Sequence, residues 1–149
     1  MSVIALAPAR SLDAGKLAQI MAEANARHPW LPRLYSGAEE IMFVGDMIDA
    51  GWVRVAQGDD GLQGFLARSD TEIHALYLRP HLQGRGIARA LMSEAQRGTH
   101  RLGLWSYQAN DRAARFYRKA GFHEIRRTDG AGNDALLPDI RFEWHRKDA

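Results

Sequence analysis

Thr71–Gln96 reads TEIHALYLRPHLQGRGIARALMSEAQ, and two periodicities meet inside it. In its first part Ile73, Ala75 and Tyr77 alternate with Glu72, His74, Leu76 and Leu78, the period of two that a pleated strand imposes. The alternation predicts Ile73, Ala75 and Tyr77 on one face and the other four on the opposite face. Pro80 ends the strand, because it offers no ladder donor and restricts the residue before it. From Ile87 the spacing becomes helical, with Ile87, Leu91 and Ala95 along one stripe. Between the two patterns lies Gln83-Gly84-Arg85-Gly86-Ile87-Ala88. A glycine-bearing turn from a strand end to a helix start leaves several backbone N–H groups unpaired and pointing the same way. The positive end of the helix dipole adds to them, and the result is a phosphate site.

Two common phosphate loops do not fit. A Walker loop requires GxxxxGK[ST], and the chain contains no Lys-Ser or Lys-Thr pair. A dinucleotide fingerprint requires GxGxxG, and after Gly84 and Gly86 the third position is Arg89. Composition narrows the rest. The chain has 149 residues, 46% hydrophobic and 26% charged, which suits a single globular domain over 1–149 with its own core. No window approaches a membrane span, and the apolar run near the N-terminus is too short for a signal peptide. With 0 cysteines there are no disulfides, thiolate metal sites or cysteine nucleophiles, which fits a cytoplasmic protein. The 6 histidines show no HxH or HExxH spacing, so no metal is expected. Arginines crowd the second half without any nucleic-acid motif, so neither a nucleic acid nor a membrane is expected as partner. Arg85 and Arg89 stand apart from the other arginines because they flank the glycine turn, where guanidinium groups suit phosphate oxygens.

The remaining chain reads as alternating short elements. Val3 to Leu6 is a strand, Ser11 caps a helix with Leu17, Ile20, Met21 and Ala24 inward, and His28-Pro29 stops it. Trp30 and Tyr35 lie in a proline-rich connection and are candidates for substrate walls or core anchors. Ser36 and Glu39 have capping-box spacing for a second helix through Ile41, Val44 and Ile48. Trp52–Gln57 and Leu62–Arg68 form a hairpin, and Arg101–Tyr107 a central strand. A fourth helix, with Ala113, Phe116, Tyr117 and Ala120 on one face, ends at Gly121. Strands at Phe122–Arg127 and Ile140–Trp144 complete the order β-α-α-β-β-β-α-β-α-β-β. The expected fold class is α/β, a mixed (α+β) sheet with helices on both faces.

Two segments carry a resemblance. Gln83, Gly86 and Ala88 fill the fixed positions of [QR]-x-x-G-x-[GA], the acyl-CoA loop of the GNAT N-acetyltransferase superfamily, after a strand ending Leu78-Arg79-Pro80. Asn110, Ala113, Phe116, Tyr117, Lys119, Gly121 and Phe122 match its second segment, N-x-x-A-x-x-F-Y-x-K-x-G-F. The chain therefore resembles a GNAT protein from roughly residue 52 to its C-terminus, while the first two helices agree in type and carry no signature.

The resemblance implies direct transfer of an acetyl group from acetyl-CoA to a primary amine of a small molecule or peptide, within a ternary complex. Backbone N–H groups of Gln83, Gly84, Arg85, Gly86, Ile87 and Ala88 are expected on the diphosphate, with Arg89 beside them. The strand edge at Tyr77 and Leu78 is expected to pair with the pantetheine amides. A backbone N–H near Leu78 is placed to polarise the thioester carbonyl. Asn110 is expected to hydrogen-bond pantetheine, and it also fits as the N-cap of the fourth helix. Tyr117 is the expected general acid facing the sulfur. Glu72 is the expected base and His74 the runner-up, because an amine of pKa about 10.4 arrives protonated. Homodimers are frequent in that superfamily. The same cleft without catalysis would be an acyl-CoA sensor, a module with no need of Tyr117.

Overall fold

The computed structural model describes residues 4–147. Of the first expected strand, Val3 lies outside the described residues, and the strand that forms, β1, spans Ala5–Pro8. The other elements are α1 (Ala14–Ala26), α2 (Gly37–Asp49), β2 (Val53–Gly58), β3 (Gly61–Ser69), β4 (Glu72–Leu78), α3 (Ile87–Arg97), β5 (Arg101–Tyr107), α4 (Asp111–Lys119), β6 (His123–Thr128) and β7 (Asp139–His145). They form one seven-stranded sheet in the order β1-β2-β3-β4-β5-β7-β6. Every pairing is antiparallel except β4 with β5, the two strands joined through α3. No helix among the described residues is long and apolar enough to cross a membrane.

Each face of the sheet has its own core. Leu17 and Ile20 of α1 and Val44 and Ile48 of α2 pack with Val55, Phe65 and Ala75. On the other face Ile87, Leu91 and Met92 of α3 and Ala114 of α4 pack with Leu102, Leu104, Phe122, Ile140 and Phe142. Ile87, Leu91 and Met92 are almost fully buried, each side chain contributing about 1.5–3 kcal/mol relative to exposure. This burial fixes the start of α3, and with it the glycine turn.

Four local expectations are corrected. Ser11 opens a short 3-10 turn instead of capping α1, and the Asp13 carboxylate accepts the Arg10 backbone N–H at 2.8 Å. In α2 the inward residue is Glu40, neutralised by Arg33 at 2.6 Å, while Ile41 is 44% exposed. In α4 the most buried side chain is Ala114 rather than Ala113, with Phe116, Tyr117 and Ala120 packed beside it. The alternation of β4 is also broken. Ala67 pairs with Ala75 and Arg68 with Ile73, leaving His74 as an extra, bulged residue. Ile73 consequently joins Leu76 and Leu78 on the α3–α4 face, and only Ala75 and Tyr77 face α1 and α2.

Candidate active site

The site begins with a gap in the sheet. β4 and β5 share a single ladder pair, Glu72 with Gly103, supported by the Gly103 N–H donating to Thr71 O at 2.8 Å. Beyond it the strands separate, so the β5-facing edge of β4 from Ile73 to Leu78 has no partner strand. An unpaired edge in the middle of a sheet is a template for an extended, amide-bearing ligand. Tyr77 and Leu78 stand at its far end, near the glycine turn.

That turn is open. Gly84 and Gly86 adopt φ of +82° and +83°, and nothing lies within 4 Å of where a Cβ would project. Among the described residues, no protein acceptor is found for the backbone N–H groups of Gly84, Arg85, Gly86, Ile87, Ala88 or Arg89. The Gln83 N–H is different, closing the preceding turn on Pro80 O at 3.4 Å. Ala90 is the first residue of α3 to donate inward, to Gly86 O at 3.0 Å. Six uncommitted donors lie at a helix N-terminus, with Arg85 and Arg89 exposed beside them, an arrangement whose charge and geometry suit an anion. Arg79, on the strand side of the turn, donates its Nε to Leu62 O at 2.7 Å.

On the α4 side Tyr117 packs against the same core that Leu76 and Leu78 of β4 cover. Its ring packs 5.7 Å from Phe142, 5.9 Å from Phe122 and 5.6 Å from Phe116. The residue is half-buried, and no hydrogen bond to its hydroxyl is found among the described residues. Burial, and secondarily the nearby Tyr77, raises its pKa well above the usual phenol value, so the group is a neutral donor at physiological pH. Asn110 is the N-cap of α4, its Oδ1 accepting from the Ala113 N–H at 3.1 Å, which leaves its amide Nδ2 for other partners.

The two base candidates are not together. His74 turns toward β2, stacked on Trp52 with ring centroids 4.8 Å apart and Nε2 2.5 Å from Ser69 Oγ. Glu72 lies at the floor of the gap, where Arg141 Nη1 donates to its Oε2 at 2.8 Å.

The α1–α2 side adds residues that carry no motif. Trp30 stands edge-on to Tyr107 at 5.7 Å, and His28 stacks on Trp30 at 4.8 Å. Tyr35 packs on Phe43 at 4.9 Å and donates its hydroxyl to Asp134 of the β6–β7 loop. Trp30 and Tyr35 are thus rim residues, half-exposed, and not core anchors. Burial is the main cause that raises the pKa of both Tyr107 and Tyr77, with Asp134 and Asp139 adding to it at Tyr107. The rim on this side is aromatic, with Asp134 at its edge, although no single stretch of sequence encodes it.

Residues 39–124 match the acetyltransferase (GNAT) domain family. The chain belongs to the GNAT acetyltransferase family. An N-acetyltransferase of Mycobacterium tuberculosis whose function is uncharacterized is 39% identical over 77 residues, covering 48% of this chain and 44% of that protein. The GNAT chain described here thus spans less than half the length of that relative. YjaB of Salmonella typhimurium, a peptidyl-lysine N-acetyltransferase, is 29% identical over 107 residues, or 70% of this chain and 72% of YjaB. The solution structure of apo YjaB from Escherichia coli shares the fold with a TM-score of 0.79 at 24% identity, covering 97% of this chain and 99% of that one. The PaiA N-acetyltransferase of Thermoplasma acidophilum, solved in complex with coenzyme A, shares it with a TM-score of 0.68 at 19% identity, covering 96% and 99%.

Proposed function

We propose that residues 1–149 work as a single acyltransferase domain that moves an acetyl group from acetyl-CoA to a primary amine, directly and within a ternary complex. The observation that carries this reading is the row of uncommitted amides from Gly84 to Arg89, on the turn that follows the open edge of β4. The amides and Arg85 and Arg89 hold the diphosphate, and the Tyr77–Leu78 edge and Asn110 hold the pantetheine arm. A backbone N–H of β4 polarises the thioester carbonyl.

The amine nitrogen attacks that carbonyl carbon; the C–N bond forms and the C–S bond breaks, releasing the thiolate of CoA. An acceptor of pKa about 10.4 must first lose a proton. Glu72 receives it, directly or through water, by the carboxylate oxygen that Arg141 does not engage. Tyr117 donates a hydrogen bond to the departing sulfur. Full proton transfer from an ordinary phenol to a thiolate whose acid has pKa about 8.5 would be uphill by about 2 kcal/mol. The raised pKa of Tyr117 increases that gap, so the phenol acts as a hydrogen-bond donor.

The acceptor enters from the aromatic side, between Trp30, Tyr35 and the Asp134 carboxylate. That surface suits a cationic amine, and a lysine side chain in a peptide is the first acceptor to try, as the activity named for YjaB also suggests. Free-thiol release from acetyl-CoA, followed across peptides and small amines, tests the proposal. Release that depends on acceptor and fails in Tyr117→Phe supports it. Acetyl-CoA binding with no release for any amine would leave only a sensor.

A further inference from the structure

Arg141 has no place in the motifs, yet it occupies the one point where the two halves of the sheet meet. β1–β4 and β5–β7–β6 are joined through the single pair Glu72–Gly103. Arg141 belongs to β7 and pairs with Trp105 of β5, one step along the strand from Gly103 on the same face. Its side chain runs back over Gly103, reaches across β5, and donates to Glu72 Oε2 at 2.8 Å. Glu143 braces it from the other side at 3.4 Å, and the Trp105 ring lies 5.6 Å from its Cζ.

Three observations separate this arrangement from an ordinary surface ion pair. The Arg141 side chain is only 19% exposed. A Cβ on Gly103 would fall 2.7 Å from its Cζ, so the residue at 103 must be glycine for the guanidinium to cross. Finally, the pair ties β7 to β4 across β5, over the seam where β4 and β5 share a single ladder pair. An ion pair that spans a weak seam restricts the angle at which the seam opens, and a planar guanidinium held by two carboxylates does so with little freedom.

We infer that Arg141 is a positioning residue: by clasping Glu72 across Gly103 it sets the opening of the β4–β5 gap, and so the spacing between the β4 edge and Tyr117 on which CoA binding depends. The inference rests on the acetyl-CoA reading of that gap. It also gives Glu72 a role in binding besides any role as base.

The test is calorimetric titration of CoA into the parent, Arg141→Met, Glu72→Gln and the double variant, with kcat and KM for acetyl-CoA alongside. Each single change is expected to raise Kd and KM roughly tenfold, with the double variant no weaker than either single one, because both remove the same contact. Arg141→Lys, which keeps the charge, is expected to recover part of the loss. A Glu72 that served only as base would give a fall in kcat for Glu72→Gln with Kd unchanged and no effect of Arg141→Met. That pattern, or a double variant weakened by the product of the two single effects, would overturn the inference. Should Arg141→Met fail to fold, Glu72→Ala, which offers Arg141 no acceptor, decides the point, since unchanged Kd there removes the clamp. A parent that does not bind CoA at all would instead refute the transferase reading on which the inference rests.

Discussion

Two loops of this molecule are rich in glycine and polar residues, and they are wired in opposite ways. The β6–β7 loop, residues 129–138, satisfies itself. Asp129 accepts from the Ala131 N–H at 3.0 Å, Asn133 bonds Leu137 in both directions, and the buried Asp139 accepts from Asn133 Nδ2 at 3.1 Å and from the Thr128 hydroxyl. Its Gly130, with φ of +89°, has the Leu137 backbone N 2.7 Å from where a Cβ would stand. The turn from Gly84 to Arg89 has glycines of nearly the same φ, open space around them, and six amides with no protein acceptor. Buried or closed backbone groups seek partners within the protein, whereas a row left unpaired at an open helix start is available to an anion, as the proposed function requires. The glycines make the same distinction: a Cβ at Gly130 would meet the Leu137 backbone, and one at Gly86 would meet nothing within 4 Å.

Substitutions can break that contrast. Gly86→Asp is expected to lower CoA affinity by 100-fold or more, on the order of two charge-assisted hydrogen bonds, while costing the free protein only about 1 kcal/mol of stability. A thermal shift with acetyl-CoA reads both. Parental affinity in Gly86→Asp would show that the turn is not the anion site. Tyr117→Phe is expected to lower kcat roughly 10- to 100-fold with CoA affinity nearly kept. Equal turnover would place the phenol outside the chemistry. Gly130→Ala should behave in the reverse manner to Gly86→Asp, destabilising the fold by about 1–3 kcal/mol in urea without a direct effect on CoA affinity. The smallest effect concerns pH. A phenol with a folded pKa raised by burial gives stability that is complete below its ordinary value near 10 and is lost as pH rises through the folded value. Alkaline unfolding curves should therefore be shallower for Tyr117→Phe than for the parent. Curves of equal slope would mean that Tyr117 is not buried as described.

The order of elements was legible in the chain because strand and helix periods alternate cleanly and the breaks fall at Pro80, Gly51 and Gly121. The conformation of the glycine turn was legible for the same reason, since the backbone's freedom is written in Gly84 and Gly86. What escaped was decided by pairing across the sheet or across the chain. The bulge at His74 exists only relative to β3, so strict alternation misplaced Ile73. Glu40 is inward where Ile41 was expected because Arg33, outside the helix, neutralises it. Arg141 meets Glu72 across 69 positions and Tyr35 meets Asp134 across 99, distances at which no local pattern exists. Tyr117 was found because its helix carries a recognisable segment; the aromatic rim around Trp30 and Tyr107 has none.

The most direct test compares two ligands that share the thioester arm and differ in the diphosphate, acetyl-CoA and acetyl-pantetheine, by calorimetric titration into the parent protein. If the amides from Gly84 to Arg89 grip the diphosphate, acetyl-CoA binds and acetyl-pantetheine binds weaker by about 100-fold or more. Equal affinity for the two would contradict the account.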